Sequence, residues 1–389
     1  MRQPLYVVKS PRRLELFQDP VGQALVLNQT LEQWQQRAAG QAKLDIQFVD
    51  HAEGLPAPCF VMADDVFTTG KFLAEFAQRA RILGRNCQAG LVRSPVLEPV
   101  TAAYPVTRVD GGTCCDLRYV TDFGDTTYHP LLLIPDDLTR TFLKLPGAVS
   151  DHGGTFLPYT AKSIMHVRCP LHVLQANMHA NIATTPERLP KFTFRRRVKV
   201  NLVGDPDLLT KWNRVGKGCD IHPTAWVEGC ELGHGVVIGP NAVCRYSVIG
   251  DGAQVLDGAV VTGSVVGSNS MVSQQVRVLF SVVYPEAFLN EGALDFSIMG
   301  RSAGVYGATV AYTDMDKGSV ATVVDGATVD SGLPFLGCAL GHRSKLGPGV
   351  VTAPGVLVPN DLRVRVGPAA VLSGVPKGHA SGTTLLLGK

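Results

Sequence analysis

Residues 230–272 read CELGHGVVIGPNAVCRYSVIGDGAQVLDGAVVTGSVVGSNSMV. An aliphatic side chain stands at Leu232, Ile238, Val243, Ile249, Val255, Val261, Val266 and Val272, in steps of six residues and occasionally five. A helix repeats every 3.6 residues and a half-buried strand every two, so neither gives this spacing. A parallel β-helix does, because each short strand turns one aliphatic side chain inward and the chain then bends at a Gly, Asn or Asp. Three such faces predict a coil of about 18 residues. The pattern runs from Val215 to about Val278, lapses between Leu279 and Phe335, returns in LGCALGHRSKLGPGVVTAPGVLVPN (336–360) and fades after Leu372. The lapse, residues 279–335, is expected to hold irregular coils and a projecting loop, and insertions of this kind in a solenoid emerge on one side and often carry the site.

The first half alternates instead. LYVV (5–8), LDIQFVD (44–50) and PCFVMADD (58–65) read as strands. NQTLEQWQQRAA (28–39), ended by Gly40, and KFLAEFAQRARIL (71–83), with apolar residues three and four apart, read as helices. A further helix is expected over PLHVLQANMHANI (170–182). This order indicates an α/β sheet with crossover connections, whose ligands gather at the C-terminal strand ends. The expected division is an α/β domain over 1–200 and the β-helix over 201–389.

The chain has 389 residues, enough for two or three domains that each bury a core. With 45% hydrophobic and 18% charged residues it has an ordinary globular composition. A net charge of +3 gives no electrostatic footprint for nucleic acid. In KFTFRRRVKV (191–200) the basic residues Arg195, Arg196, Arg197 and Lys199 alternate with apolar ones, as on a strand with one solvated face. Nine cysteines, with no CxxC and no zinc-like Cys/His spacing, fit reduced buried thiols in a cytoplasmic protein. The N-terminus MRQPLYVVKSPRR lacks a signal-peptide core, and no apolar run reaches the roughly 18 residues of a membrane span.

Several stretches together resemble the sugar-1-phosphate nucleotidylyltransferases that carry a C-terminal left-handed β-helix of hexapeptide repeats. VGQALVLNQTLEQWQQRAAG (21–40) resembles that family's first-helix region, VMADDVF (61–67) the strand ending in a metal-binding acid, and CPLHVLQAN (169–177) the helix-opening motif before the repeats. DIHPTAWVEGCELG (220–233) resembles the start of the β-helix, and residues 308–359 are similar to bifunctional enzymes that make UDP-N-acetylglucosamine. The resemblance implies a transferase acting on a nucleoside triphosphate and a sugar phosphate, with Mg²⁺, and acetyl-CoA as co-substrate for a second, acetyl-transfer activity. It also implies a homotrimer.

Carried over residue by residue, the resemblance implies Asp64 or Asp65 as metal ligand, with His172 at the position of the second ligand. The family's glycine-rich phosphate loop corresponds here to VVKSPRRLELFQDPVG (7–22), which has no glycine before Gly22 and carries Pro11, a residue without a backbone donor. Lys9, Arg12 and Arg13 then either meet the phosphates as side-chain cations or form an exposed turn. Asp295 stands where the family has a catalytic His for acetyl transfer, and His342 is the nearest alternative base, at what is otherwise a coil corner. Tyr312 and Lys317 are candidate sugar contacts or a polar hairpin tip. Because the phosphate loop, second ligand and base all depart from the pattern, a catalytically silent scaffold or sugar-nucleotide sensor is the alternative.

Overall fold

The structure is a computed structural model that describes residues 2–94, 101, 103, 105–135, 142–144, 154–156, 159–188, 213–314 and 316–367. The basic stretch 195–199 lies outside the described residues. Strand β1 (Pro4–Val8) starts the N-terminal part, followed by a short antiparallel pair, β2 (Leu25–Val26) and β3 (Gln29–Thr30). Helix α1 (Leu31–Gln41) opens on a capping box in which Thr30 and Gln33 bond each other's backbone N–H. Gly40 lies within its last turn rather than after it.

Strands β4 (Asp45–Val49), β5 (Cys59–Ala63) and β6 (Val66–Thr68) follow. Helix α2 (Gly70–Leu83) is capped by Thr69 and stopped by Gly84, whose φ of 64° suits a residue without a Cβ. Then come β7 (Cys87–Val92), β8 (Thr107–Val109), β9 (Gly112–Val120), β10 (His129–Leu133), β11 (Phe142–Lys144), β12 (Gly154–Phe156), β13 (Ile164–His166) and helix α3 (Pro170–Arg188).

The main sheet is mixed, in the order β10-β7-β9-β5-β1-β4, with β8 joined to β9. Strands β4 and β5 run parallel to β1, and β9 runs antiparallel between β5 and β7. The C-terminal ends of β1 and β5 therefore lie side by side, and Asp64 and Asp65 leave the sheet there. The apolar side chains of α2, among them Phe72, Leu73 and Phe76, fill the core against Leu5, Phe60 and Met62.

From Arg214 the chain forms short parallel strands stacked in three sheets, compatible with a β-helix. Arg214 pairs Glu231, Glu231 pairs Val248 and Val248 pairs Val265, a coil of 17 residues. It is one residue shorter than three hexads because one corner of each coil takes a five-residue step. Leu232, Ile238, Ile249, Val255, Val261, Val266 and Val272 all point into the core. At the third strand of the first full coil the inward residue is Cys244 rather than Val243, which is partly exposed. Each fully buried aliphatic side chain contributes about 1.5–3 kcal/mol of transfer free energy.

The stacking does not lapse at Leu279. Val282–Val283, Ile298–Met299 and Ala339–Leu340 continue one sheet, and Phe288–Glu291, Gly304–Tyr306 and Lys345–Leu346 another. The insertion is confined to residues 311–338 and carries the antiparallel hairpin Ala321–Val324/Ala327–Asp330. Steps of five, five, six and five residues through Leu289, Leu294, Met299, Val305 and Val310 hide these coils from a search at period six.

Coil-to-coil contact is close at the corners. The Oγ of Ser247 accepts from the Ser264 N–H, Ser264 likewise from Ser281, and Ser281 from Ser297, which satisfies buried corner amides. A Cβ added to Gly267 would lie 2.3 Å from the Pro285 nitrogen in the next coil. Gly267→Ala is expected to lower the unfolding free energy by about 1–3 kcal/mol, read from denaturant midpoints, because a packed stack has no slack for the methyl group. An unchanged midpoint would show that the corner relaxes.

Candidate functional site

The acids at the end of β5 are engaged on all four carboxylate oxygens. Ser10, two residues beyond β1, donates its backbone N–H to Asp64 Oδ2 at 2.7 Å and its hydroxyl to Asp64 Oδ1 at 2.9 Å. Asp65 accepts from His166 Nδ1 at 2.7 Å and from Arg168 Nε at 2.6 Å. The Asp116 backbone N–H donates to His166 Nε2 at 3.2 Å, so the ring proton sits on Nδ1 and points at Asp65. Burial opposes ionisation of Asp65, but the hydrogen bond from His166 and the hydrogen bond and charge of Arg168 hold its carboxyl below its ordinary value.

Ser10, His166 and Arg168 were not singled out in the sequence. Their only trace is the alternation in SIMHVRCP (163–170), which puts His166 and Arg168 on one side of an extended segment. His172 opens α3 as expected but is fully buried. Its Nδ1 accepts from the Arg168 N–H at 3.2 Å, and its Nε2 lies 3.0 Å from the Ala103 carbonyl oxygen. Burial pushes its pKa down to about 4, so the ring is neutral at pH 7 with neither nitrogen available.

A Mg²⁺ ion requires oxygen ligands in near-octahedral geometry and tolerates imidazole poorly. Asp65 faces the Arg168 guanidinium, His172 has both nitrogens occupied, and Asp64 is bonded to Ser10. These residues do not fit the implied ion. Among the described residues no three His, Cys, Asp or Glu side chains are grouped to hold a metal.

Lys9, Arg12 and Arg13 are exposed at the same sheet edge. Lys9 Nζ lies 5.7 Å from the centre of the Phe48 ring, and Arg13 Nη1 donates to the Gln18 carbonyl at 2.7 Å. A cavity of about 260 Å³ opens beyond β7, lined by Arg93, Ser94, Thr101, Arg108 and the turn Asp110–Gly112. Strand β9 separates β5 from β7, so the cavity opens two strands across the sheet from the acids.

The solenoid candidates fall into two separate places. Asp295 is buried and paired with Arg277, whose Nε donates to Oδ1 at 3.1 Å and whose Nη2 donates to Oδ2. Tyr312 shares that guanidinium, and its ring packs against Phe296 and Phe335 at 5.8 and 6.0 Å. Asp295 and Tyr312 are thus brought together by Arg277, which sequence reasoning missed. Lys317 is exposed, 4.0 Å from Asp314.

His342 lies elsewhere, against the N-terminal part. Its Nε2 is 3.0 Å from Asp19 Oδ2, its Nδ1 accepts from the Arg301 N–H at 2.9 Å, and its ring stacks on Phe17 at 4.8 Å. It is buried and both nitrogens are engaged, so the ring joins two parts of the chain. All nine cysteines are free and all but Cys219 are buried; burial pushes Cys59 and Cys87 up to about 11, which keeps them thiols at neutral pH.

The chain matches no protein-family model and no curated protein. No helix among the described residues is long and apolar enough to cross a membrane.

Removing the Asp65 charge strands the Arg168 guanidinium, so Asp65→Asn is expected to cost about 3 kcal/mol at pH 7. Because the folded carboxyl titrates below its unfolded value, its stabilisation is full above about pH 4 and is lost as pH falls through the folded value. The deficit of Asp65→Asn should therefore shrink on acidification, measured by urea unfolding at pH 7 and pH 3. A deficit independent of pH would contradict this account.

Proposed function

We propose that this chain is a sugar-nucleotide-pathway protein that binds a nucleotide or sugar phosphate at the C-terminal edge of its α/β sheet, without metal-assisted transfer. The observation that carries this reading is the saturation of Asp64 and Asp65 by Ser10, His166 and Arg168. The acids serve as anchors for the loop and for the half-buried Arg168, which leaves exposed cations, Lys9 and Arg12, to meet phosphate oxygens as charged side chains. The cavity beside Arg93 and Arg108 gives a second phosphate-bearing group room two strands away from the acids.

In this reading the N-terminal region is nucleotidyltransferase-like and the stacked coils are a left-handed β-helix of hexapeptide repeats, associating as a cytoplasmic homotrimer. Acetyl transfer from acetyl-CoA is not favoured, because Asp295 is neutralised by Arg277 and His342 is buried against Asp19. A transferase reading keeps one specific support: among the described residues the Asp64 carboxylate bonds only Ser10, and rotation of the serine hydroxyl frees Oδ1 at the strand end while the Ser10 N–H stays on Oδ2.

Titration with UDP-N-acetylglucosamine and other sugar nucleotides, beside a pyrophosphate-release assay with nucleoside triphosphates, sugar 1-phosphates and Mg²⁺, separates the two. The expected result is saturable binding, weakened at least tenfold by Lys9→Ala with Arg12→Ala, and no pyrophosphate. Release that depends on one sugar phosphate and vanishes in Asp64→Asn would overturn this proposal in favour of the transferase. Light scattering is expected to give a trimeric mass, and a monomer would remove the assembly part of the reading.

A further inference from the structure

The segment between β1 and β2, residues 9–24, lies between the strand-end acids and the solenoid, and it is bonded to both. On the sheet side, Ser10 holds Asp64, and the Glu15 backbone N–H donates to the Arg168 carbonyl at 2.8 Å, with the Arg168 side chain on Asp65. On the solenoid side, Glu15 turns its carboxylate to the tip of the inserted hairpin. Oε2 accepts from the Asp325 N–H at 3.0 Å and Oε1 from the Gly326 N–H at 3.1 Å. Asp325 and Gly326 have φ of 50° and 75°, the left-handed turn that aims two successive amides outward at an anion.

Two further bonds fix the other end of the segment. Asp19 meets His342, and the Asn360 side-chain amide donates to the Phe17 carbonyl at 3.0 Å. The segment is also braced internally, by Leu14 N–H to the Asp19 carbonyl at 2.7 Å and Val21 N–H to the Arg12 carbonyl at 3.3 Å. It contains no glycine before Gly22, so it has no intrinsic freedom to shape a phosphate loop from its own backbone.

We infer that the solenoid is a positioning element of the strand-end site, with Glu15 as the positioning residue through which the hairpin 321–330 sets the loop carrying Lys9, Ser10 and Arg12. The hairpin emerges from the coils and ends on this carboxylate. A charge-assisted pair of backbone amides is stronger than neutral hydrogen bonds and fixes direction as well as distance. The loop, without a glycine before Gly22, is thereby held from outside, by a part of the chain more than three hundred residues further on.

Amide hydrogen exchange on the full-length protein tests this without reference to turnover, so its outcome is independent of whether the site transfers or only binds. In Glu15→Ala, the Ser10 and Val167 amides, which bond Asp64 and the Asp65 carbonyl, are expected to exchange at least tenfold faster. Strand β7 and the coils over 231–283 should keep their protection. Glu15→Gln, which retains one neutral acceptor, should recover most of the lost protection. Unchanged exchange at Ser10 and Val167, or acceleration spread evenly over β7 and the coils, would overturn the inference, since the first denies the coupling and the second reduces Glu15 to general stability.

Discussion

The Phe17 ring, packed against the adjacent rings of Tyr284 and His342 of the solenoid, is the contact on which the rest of the molecule depends. It stacks on Tyr284 at 5.3 Å and on His342 at 4.8 Å. Around it, Leu14, Leu25 and Leu27 from the first part share one continuous core with Val248, Val265, Val282 and Ile298 from the coils. The Tyr284 hydroxyl accepts the Leu25 N–H at 2.9 Å, and the Asn28 side chain reaches the Val266 carbonyl at 3.0 Å. Each part also has a core of its own, and this shared third core joins the halves by area removed from water, with hydrogen bonds setting the register.

That union changes what the strand ends can do. In an open α/β sheet the residues after β1 and β5 face solvent and are available to a ligand. Here the segment after β1 is bonded to both sheet and solenoid: Ser10 is tied to Asp64 at the strand end, and the Glu15 carboxylate reaches the hairpin across the interface. The acids after β5 then meet donors from their own chain. A buried carboxylate opposite a guanidinium is stable only while both remain, which makes Asp65, His166 and Arg168 one unit rather than three candidates. The exposed cations on the loop rim are the groups left facing outward.

The solenoid was legible in the sequence because its physics is local: one inward residue per strand, repeated at a nearly constant step. The reading slipped at Val243, where Cys244 is small and apolar enough to take the inward place. It also lost the coils after Leu279, where five-residue steps accumulate. The helices were legible through the composition of 28–39 and the three- and four-residue apolar spacing of 71–83; the caps Thr30 and Thr69 and the stop at Gly84 came from the structure, and Gly40 misled because one glycine costs a helix only about 1 kcal/mol. The acids Asp64 and Asp65 were found as strand-end residues. Their partners Ser10, His166 and Arg168 were not, since they stand 54 to 103 residues away and no pattern links them.

The sequence by itself determined the periods: the alternation of strand and helix in the first half, the stacked coils in the second, and the absence of glycine from the loop after β1. Periodicity encodes which side of an element is apolar, and nothing more distant enters it. Only the tertiary structure decided what each titratable side chain faces. His342 became a clasp for Asp19, Asp295 a partner for Arg277, and Glu15 an anchor for the hairpin tip, because a polar group gains most from whichever partner the packed chain brings within 3 Å or so.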